Sequence, residues 1–239
     1  MIMWLFSNKK TIAKSGILEG FRECHCHLLP GVDDGVKKME DTLAILAQWE
    51  AAGVREVWFT PHVMEDYPNT PAELREKFQE VLDVYEGGLQ LHLGAENIMD
   101  NLFPERLEKR ELLPLWDNHL LVETSYFNPP LHMGETLENI RKAGYRPILA
   151  HPERYYYMEM DDYPRWKARG VKFQLNFPSL AGAYGPDVRK KAEALLEKGL
   201  YDFMGSDTHS TGFVDWYLKG RLSKGVVAAL MEIPGRSRE

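Results

Sequence analysis

The chain carries only 2 cysteines in 239 residues. Cys24 and Cys26 stand two apart, too local to staple distant segments. A disulfide framework is thereby excluded, and a reducing, cytoplasmic setting is the natural reading. The same residues exclude a cysteine-dependent phosphatase. That chemistry needs an Arg six positions after the nucleophile, whereas Cys24 leads to Pro30 and Cys26 to Val32. A surplus of positive charge is also lacking: 29 Lys and Arg face 36 Asp and Glu, a net charge of -7, which argues against a nucleic-acid partner. No apolar run reaches the roughly 20 residues of a membrane-spanning helix. Residues 1–6 are apolar but are followed by Lys9, Lys10 and Lys14, the wrong order for a secretory signal. We expect a docked or disordered tail there, with weak membrane association as the sharper alternative. Linkers, low-complexity tracts and fixed-period repeats are absent too, so residues 21–239 are expected to form one domain behind an extension at 1–20.

What is present is an alternation. Short β-type runs at 21–27, 54–60, 89–95, 119–122, 146–150, 171–176 and 201–205 are separated by helical periodicities at 39–52, 71–85, 104–112, 136–143, 163–169 and 186–198, with a last one at 222–231. The stretch at 71–85 shows the signals. Thr70 is a cap, Pro71 suits the first turn, and Leu74, Phe78, Val81, Leu82 and Tyr85 recur at helical spacing before Gly87-Gly88. Such alternation predicts a parallel α/β architecture, a distorted seven-stranded TIM-like barrel closed or nearly closed.

The organising stretch is Glu23-Cys24-His25-Cys26-His27. Alternation on a strand places His25 and His27 on one face and both cysteines on the other, where they pack behind the site. Gly31 and Gly35 bracket a turn that can return Asp33 or Asp34 to the same point. Further candidates close the other runs: His62, Glu96, Glu123, His151, Asp207 and His209. Only the sixth run contributes none. The rim of an α/β barrel is where such ends meet. Five imidazoles and four carboxylates exceed one ion's coordination and suit two or three, with Mn, Fe or Zn favoured over a Cys-type structural site. Three divalent ions would outweigh the carboxylates, and a phosphate fits the resulting pocket. His92 is expected to be a core histidine, and His119 and His132 surface or loop residues.

These segments carry a resemblance. His25-x-His27, Thr60-Pro61-His62, Gly94-Ala95-Glu96, Leu121-Val122-Glu123, Ala150-His151-Pro152-Glu153-Arg154-Tyr155 and Ser206-Asp207-x-His209 resemble the polymerase-and-histidinol-phosphatase (PHP) superfamily. The Val32-Asp33-Asp34-Gly35 turn and the 151–155 segment are similar to its bacterial metal-dependent protein-tyrosine phosphatases of capsular and exopolysaccharide clusters. The resemblance spans about 21–210 and implies a PHP-type barrel with three divalent ions, usually manganese. One ion would take His25, His27, Glu96 and Asp207; a second Glu96, Glu123 and His151; a third Asp34, His62 and His209. Asp34 is chosen over Asp33 on the family pattern. Hydrolysis would proceed by a metal-bridging hydroxide, with Arg154 gripping the phosphate. The implied substrate is a phosphotyrosine protein, such as a tyrosine kinase with a Tyr-rich tail.

Two departures stand out. Glu23 replaces the usual Asp, and no Arg follows His209 closely, leaving Arg221 as the substitute. Tyr155, within the 155–157 aromatic run beside Tyr126 and Phe127, packs the loop or offers a wall for the substrate ring. The rivals are a small-molecule phosphatase acting on something like histidinol phosphate, a nuclease domain, and a non-enzymatic metal-containing binding module.

Overall fold

Two parallel sheets position everything that follows. The computed structural model describes residues 9–236, so the membrane-anchoring expectation for 1–6 lies outside the described residues. The strands are β1 Lys10–Thr11, β2 Arg22–Cys26, β3 Glu56–Phe59, β4 His62–Val63, β5 Gln90–Leu93, β6 Glu96–Ile98, β7 His119–Glu123, β8 Arg146–Ala150, β9 Lys172–Asn176, β10 Phe203–Gly205 and β11 Arg221–Leu222. One sheet runs β2-β3-β5 and another β10-β9-β8-β7-β6-β4, with parallel neighbours throughout. β1 and β11 form a separate antiparallel pair.

The seven expected runs are all present, and the second and third are each followed by a further short strand, β4 and β6, that was not expected. Pro61, which has no N–H for a ladder, separates β3 from β4. Gly94-Ala95 separates β5 from β6, and a Cβ on Gly94 would stand 2.5 Å from Leu115 Cδ2. The expected runs, β3 and β5, join the three-stranded sheet, and the short strands after them, β4 and β6, join the six-stranded one. At the far side, β2 meets the end of β10 through Asp207 N–H to His25 O (2.8 Å), His27 N–H to Thr208 O (2.9 Å) and a parallel bridge between Cys26 and Thr208. The result is a mixed α/β fold with parallel sheets.

Alternation sorts the core into two clusters. Leu120 and Val122 of β7 join the larger cluster that includes Ile45, Trp49 and Leu137, while Leu121 joins a small one with Cys24, Trp58, Ile148, Ala150 and Phe203. Cys26 belongs to the larger cluster, so the two cysteines do not share a face as expected. The register of β2 against β3 shifts between Glu23 and Cys26, and that irregularity rotates one cysteine away. Both remain buried and free. Cys24 Sγ donates to Met204 O (3.1 Å) and Cys26 Sγ to Trp58 O (3.3 Å).

Each expected helix forms, at Met39–Ala51, Pro71–Val84, Phe103–Lys109, Met133–Lys142, Asp162–Ala168, Pro186–Glu197 and Lys224–Met231. Thr70 and Glu73 make the reciprocal capping box that starts the second. Two helices were not expected, Ile12–Ser15 and Thr211–Lys219. The second had a readable signal. Ser210 Oγ accepts from Phe213 N–H (3.3 Å), and Val214 and Tyr217 face the core. Within the extension, Ile12, Ile17 and Leu18 are buried in the main cluster. Among the described residues no helix is long and apolar enough to cross a membrane.

Candidate metal centre

Strand ends deliver the side chains. His25 lies in β2 and His27 just beyond it; His62 opens β4, Glu96 opens β6, Glu123 closes β7, His151 follows β8, and Asp207 and His209 follow β10. With Asp34, all nine candidates fall into overlapping groups whose donor atoms lie within 4.8 Å of one another. The groups are His27, Asp34, His62 and His209; His25, Glu96 and His151; His25, His27 and Asp207; and His62, Glu96 and Glu123. Glu96 is the hub. Its Oε1 is 3.2 Å from Nε2 of both His25 and His151, and its Oε2 is 3.1 Å from His62 Nδ1 and 3.4 Å from His27 Nε2. Asp207 Oδ1 lies 3.4 Å and 3.3 Å from Nε2 of His25 and His27. Asp34 Oδ1 lies 3.6 Å and 3.5 Å from Nε2 of His62 and His209.

Bonds behind the imidazoles decide which nitrogen faces inward. His25 Nδ1 is 2.8 Å from Gln174 Oε1, and donation by Gln174 Nε2 to Leu175 O and Asn176 Oδ1 fixes that amide's orientation. His27 Nδ1 is 2.8 Å from Asp33 Oδ2, and His209 Nδ1 is 2.9 Å from Asp207 O. All three oxygens accept, so each Nδ1–H donates and each Nε2 turns its lone pair to the centre. His25 Nε2 and His27 Nε2 then face each other at 3.2 Å. Once the protons that the neighbouring carboxylates favour on these rings are displaced, both lone pairs converge on one point, where a cation is the natural partner. His62 Nδ1 is buried without a hydrogen-bond partner although Glu96 Oε2 is only 3.1 Å away. The donor set, oxygen and nitrogen without thiolate, therefore fits divalent ions.

The charges support this fit. Burial, and then Glu96 beside it, push Glu123 up to about 8. Burial opposes a proton on His25, yet Glu96 and Asp207 lift it to about 9. Burial and Arg154 push His151 down to about 4. A crowd of carboxylates takes up protons where it lacks cations, and metal binding must displace them. Two of the nine residues also hold left-handed backbone, His151 at φ 30 and Asp207 at φ 54, which is uncommon outside glycine and is held here by surrounding structure.

The two aspartates of the turn divide their work. Asp33 is buried and accepts from His27 Nδ1, from His62 N–H (2.9 Å) and from Gly35 N–H (2.9 Å). Burial opposes its charge, but His27 and these bonds prevail and hold the carboxyl well below the usual range. Asp34 is half exposed and turned toward His62 and His209. Asp33 orients a ligand and Asp34 is placed to be one. The turn is tight at Gly35, where a Cβ would lie 2.2 Å from His27 O and 2.5 Å from His27 Cβ. Gly35→Ala is expected to lower stability by about 1–3 kcal/mol and to displace His27. Urea denaturation alongside metal titration will check it, and an unchanged midpoint with unchanged metal affinity would refute the close-approach argument.

The sequence reading left three residues out. The sixth run is not silent: β9 supplies Gln174 behind His25 and Asn176, whose Nδ2 donates to Asp207 Oδ2 (2.9 Å). Tyr184 OH donates to the same oxygen (3.2 Å), as does Arg154 Nη1 (2.7 Å). Three donors thus hold Oδ2 while Oδ1 faces the histidines. The Arg154 guanidinium carbon lies over the ring of Tyr126 (4.3 Å) and over that of Tyr184 (4.2 Å). Asn176 and Gln174 were readable as polar residues ending a buried strand; Tyr184 had no local signal.

Other expectations resolve plainly. Glu23 accepts from the backbone N–H groups of His25 (2.9 Å) and Ser206 (3.0 Å), tying two ligand-bearing strands, and burial raises it to about 7. Arg221 is exposed and donates to Lys9 O, so it does not supply the missing arginine. His92 stacks on Trp58 at 4.6 Å. His119 is not a surface residue: it is buried in β7, with Nδ1 2.9 Å from Trp116 O and the Phe203 ring edge-on. His132 is exposed at φ 59 ahead of a helix. Tyr155 is 0% exposed, so it packs the loop and cannot be a substrate wall.

Comparison with known proteins adds a second line. The family model described as capsular polysaccharide synthesis, CpsB/CapC, matches residues 21–218. The chain is similar to tyrosine-protein phosphatase YwqE of Bacillus subtilis, 29% identical over 197 residues covering 79% of this chain and 77% of that protein. It is also similar to tyrosine-protein phosphatase CpsB of Streptococcus pneumoniae, 30% identical over 200 residues, 79% and 82% of the two chains. A solved structure from the work on YwqE and CpsB, there called metal-dependent tyrosine phosphatases, aligns with a TM-score of 0.75 at 26% identity, covering 88% of this chain and 85% of that one.

Proposed function

Because the chain belongs to the CpsB/CapC family of capsular polysaccharide synthesis, we propose that it is a metal-dependent protein-tyrosine phosphatase. The observation that carries the reading is Glu96, whose two oxygens face four imidazoles a few ångströms from the Arg154–Asp207 pair. We take the two sheets as one distorted seven-stranded PHP-type barrel. Residues 21–239 would be its catalytic unit, and residues 9–20 the described part of an extension packed on it.

The residues suit three divalent ions, manganese first and iron or zinc after it. His25, His27, Glu96 and Asp207 would hold one, Glu96, Glu123 and His151 a second, and Asp34, His62 and His209 a third. Bound there, such ions would supply Lewis acidity toward phosphoryl oxygens and a water acidic enough to attack phosphorus near neutrality. The chain's own contribution is orientation. Gln174, Asp33 and the Asp207 carbonyl hold three imidazoles with Nε2 inward. Tyr126 and Tyr184 pack against the Arg154 guanidinium and Asp207 bonds its Nη1, holding the group that would grip phosphate oxygens. A phenolate leaves at a pKa near ~10, so no strong general acid is required.

The relatives' names favour phosphotyrosine over the small-molecule and binding-module rivals. The natural substrate would be a cytoplasmic tyrosine kinase with a Tyr-rich tail. The test is phosphate release by the Mn²⁺-loaded protein from a phosphotyrosine peptide, a phosphoserine peptide and histidinol phosphate. Phosphotyrosine is expected to be preferred by a factor on the order of 10² in kcat/KM. Preference for histidinol phosphate would overturn the substrate, and no turnover with metal bound would revive the binding module.

A further inference from the structure

Two loops on the rim expose aromatic surface that the metal centre does not use. Phe127 is 70% and Tyr156 56% exposed, and their rings stack at 5.5 Å and 16°. Leu131, 85% exposed, lies on the same loop as Phe127. Three of the eight large exposed hydrophobics among the described residues thus belong to the loops after β7 and β8. Exposed apolar side chains gathered in this way mark contact surfaces more often than chance scatter does.

The pair is continuous with the phosphate-gripping residue. Phe127 follows Tyr126, whose ring covers the Arg154 guanidinium at 4.3 Å. Tyr156 comes two residues after Arg154, and its N–H donates to Tyr126 O at 2.7 Å. That bond ties the two loops together, so the stacked rings stand in a set position relative to Arg154. Tyr155 and Tyr157 between them pack inward, with Tyr157 OH 2.6 Å from Thr124 Oγ1, which leaves Tyr156 turned out by alternation.

We propose that Phe127 and Tyr156 form a docking subsite for the polypeptide flanking the phosphotyrosine, seating an apolar side chain two or three positions from it. The inference rests on the phosphatase reading. An extended chain covers roughly 7–11 Å over two to three residues, and Phe127 is the chain neighbour of Tyr126, whose ring lies 4.3 Å from the Arg154 guanidinium carbon. A flat aromatic pair gives such a side chain a wide contact at little cost in ordering, because the two rings already hold each other. A small aryl phosphate would reach Arg154 without touching them, so the pair would select proteins over small esters.

The test uses two phosphotyrosine peptides that differ only in Leu or Gly at the second and third flanking positions. Both are assayed with the Mn²⁺-loaded wild-type protein and with the double variant Phe127→Ala, Tyr156→Ala. The wild type is expected to favour the Leu peptide by about tenfold in kcat/KM, mostly through KM. In the variant the ratio should fall toward one. A wild-type ratio of one, or a ratio preserved in the variant while both peptides slow together, overturns the subsite. So does a variant that changes only sedimentation mass, which would assign the rings to a second copy of this chain. A wild type that releases phosphate from neither peptide removes the phosphatase reading, and the subsite falls with it.

Discussion

Glu96→Gln is expected to lower phosphate release by on the order of 10³-fold or more at saturating Mn²⁺, because it removes charge from the side chain that would be shared by the first and second proposed ion sites. Glu96 Oε1 serves His25 and His151, while Oε2 serves His62 and His27. An amide offers one oxygen and an N–H₂ that would point at a lone pair. Metal content measured on the same sample should fall together with activity. Stripping metal from the wild type is expected to have the same effect and to be reversed by Mn²⁺. Full activity in Glu96→Gln, or in metal-stripped wild type, would end the metal-centre reading.

The same carboxylates set a direction with pH. His25, lifted to about 9 by Glu96 and Asp207 against the effect of burial, holds its proton more tightly in the metal-free fold than in the unfolded chain. Metal must displace that proton, so apparent affinity should rise with pH up to about 9 and weaken toward acid. In the metal-free protein the shift has the opposite consequence for stability. The contribution of protonated His25 is present below its unfolded value and is lost as pH rises through about 9.

Arg154→Ala should cost about 10²–10³ in kcat/KM while leaving metal content near wild type, and Arg154→Lys should not rescue it. The side chain is defined by its plane. Tyr126 and Tyr184 pack against it at 4.3 Å and 4.2 Å, and its Nη1 bonds Asp207 Oδ2 at 2.7 Å. A lysine ammonium can neither fill that slot nor present parallel N–H groups to two phosphate oxygens. Near-wild-type turnover by Arg154→Lys would show that charge alone suffices. Loss of metal in Arg154→Ala would instead make its main role the support of Asp207.

Much of this was legible in one dimension because strand ends are local facts. Each ligand-bearing motif sits within a few residues of a β-type run, and parallel α/β connectivity sends all such ends to one rim. The PHP-type resemblance and the nine candidates follow from motifs of two to six residues. The family pattern points to Asp34 rather than Asp33; in the fold Asp33 is engaged by His27, His62 N–H and Gly35 N–H, and Asp34 faces His62 and His209.

The residues and relations that sequence did not reveal are those defined by distance through space. His119 matches no motif and reads as a surface or loop residue, yet packing against Phe203 buries it. Gln174 and Asn176 look like ordinary strand-end polar residues until His25 and Asp207 are brought to 2.8 Å and 2.9 Å from them. Tyr184 reaches Arg154 across 30 positions of chain. Beyond Pro61 and Gly94-Ala95 the chain also enters a second sheet as β4 and β6, strands too short to read from sequence because their ladder partners lie on other segments.

Residue type and spacing therefore determined the donor chemistry and the architecture that collects it, since ligand identity and strand period are properties of short segments. Packing alone settled which nitrogen each imidazole turns inward, which oxygen Asp207 keeps free, and which aromatics face water. Those outcomes depend on partners far apart in the chain, and a hydrogen bond or ring contact has no meaning until the fold brings both members together.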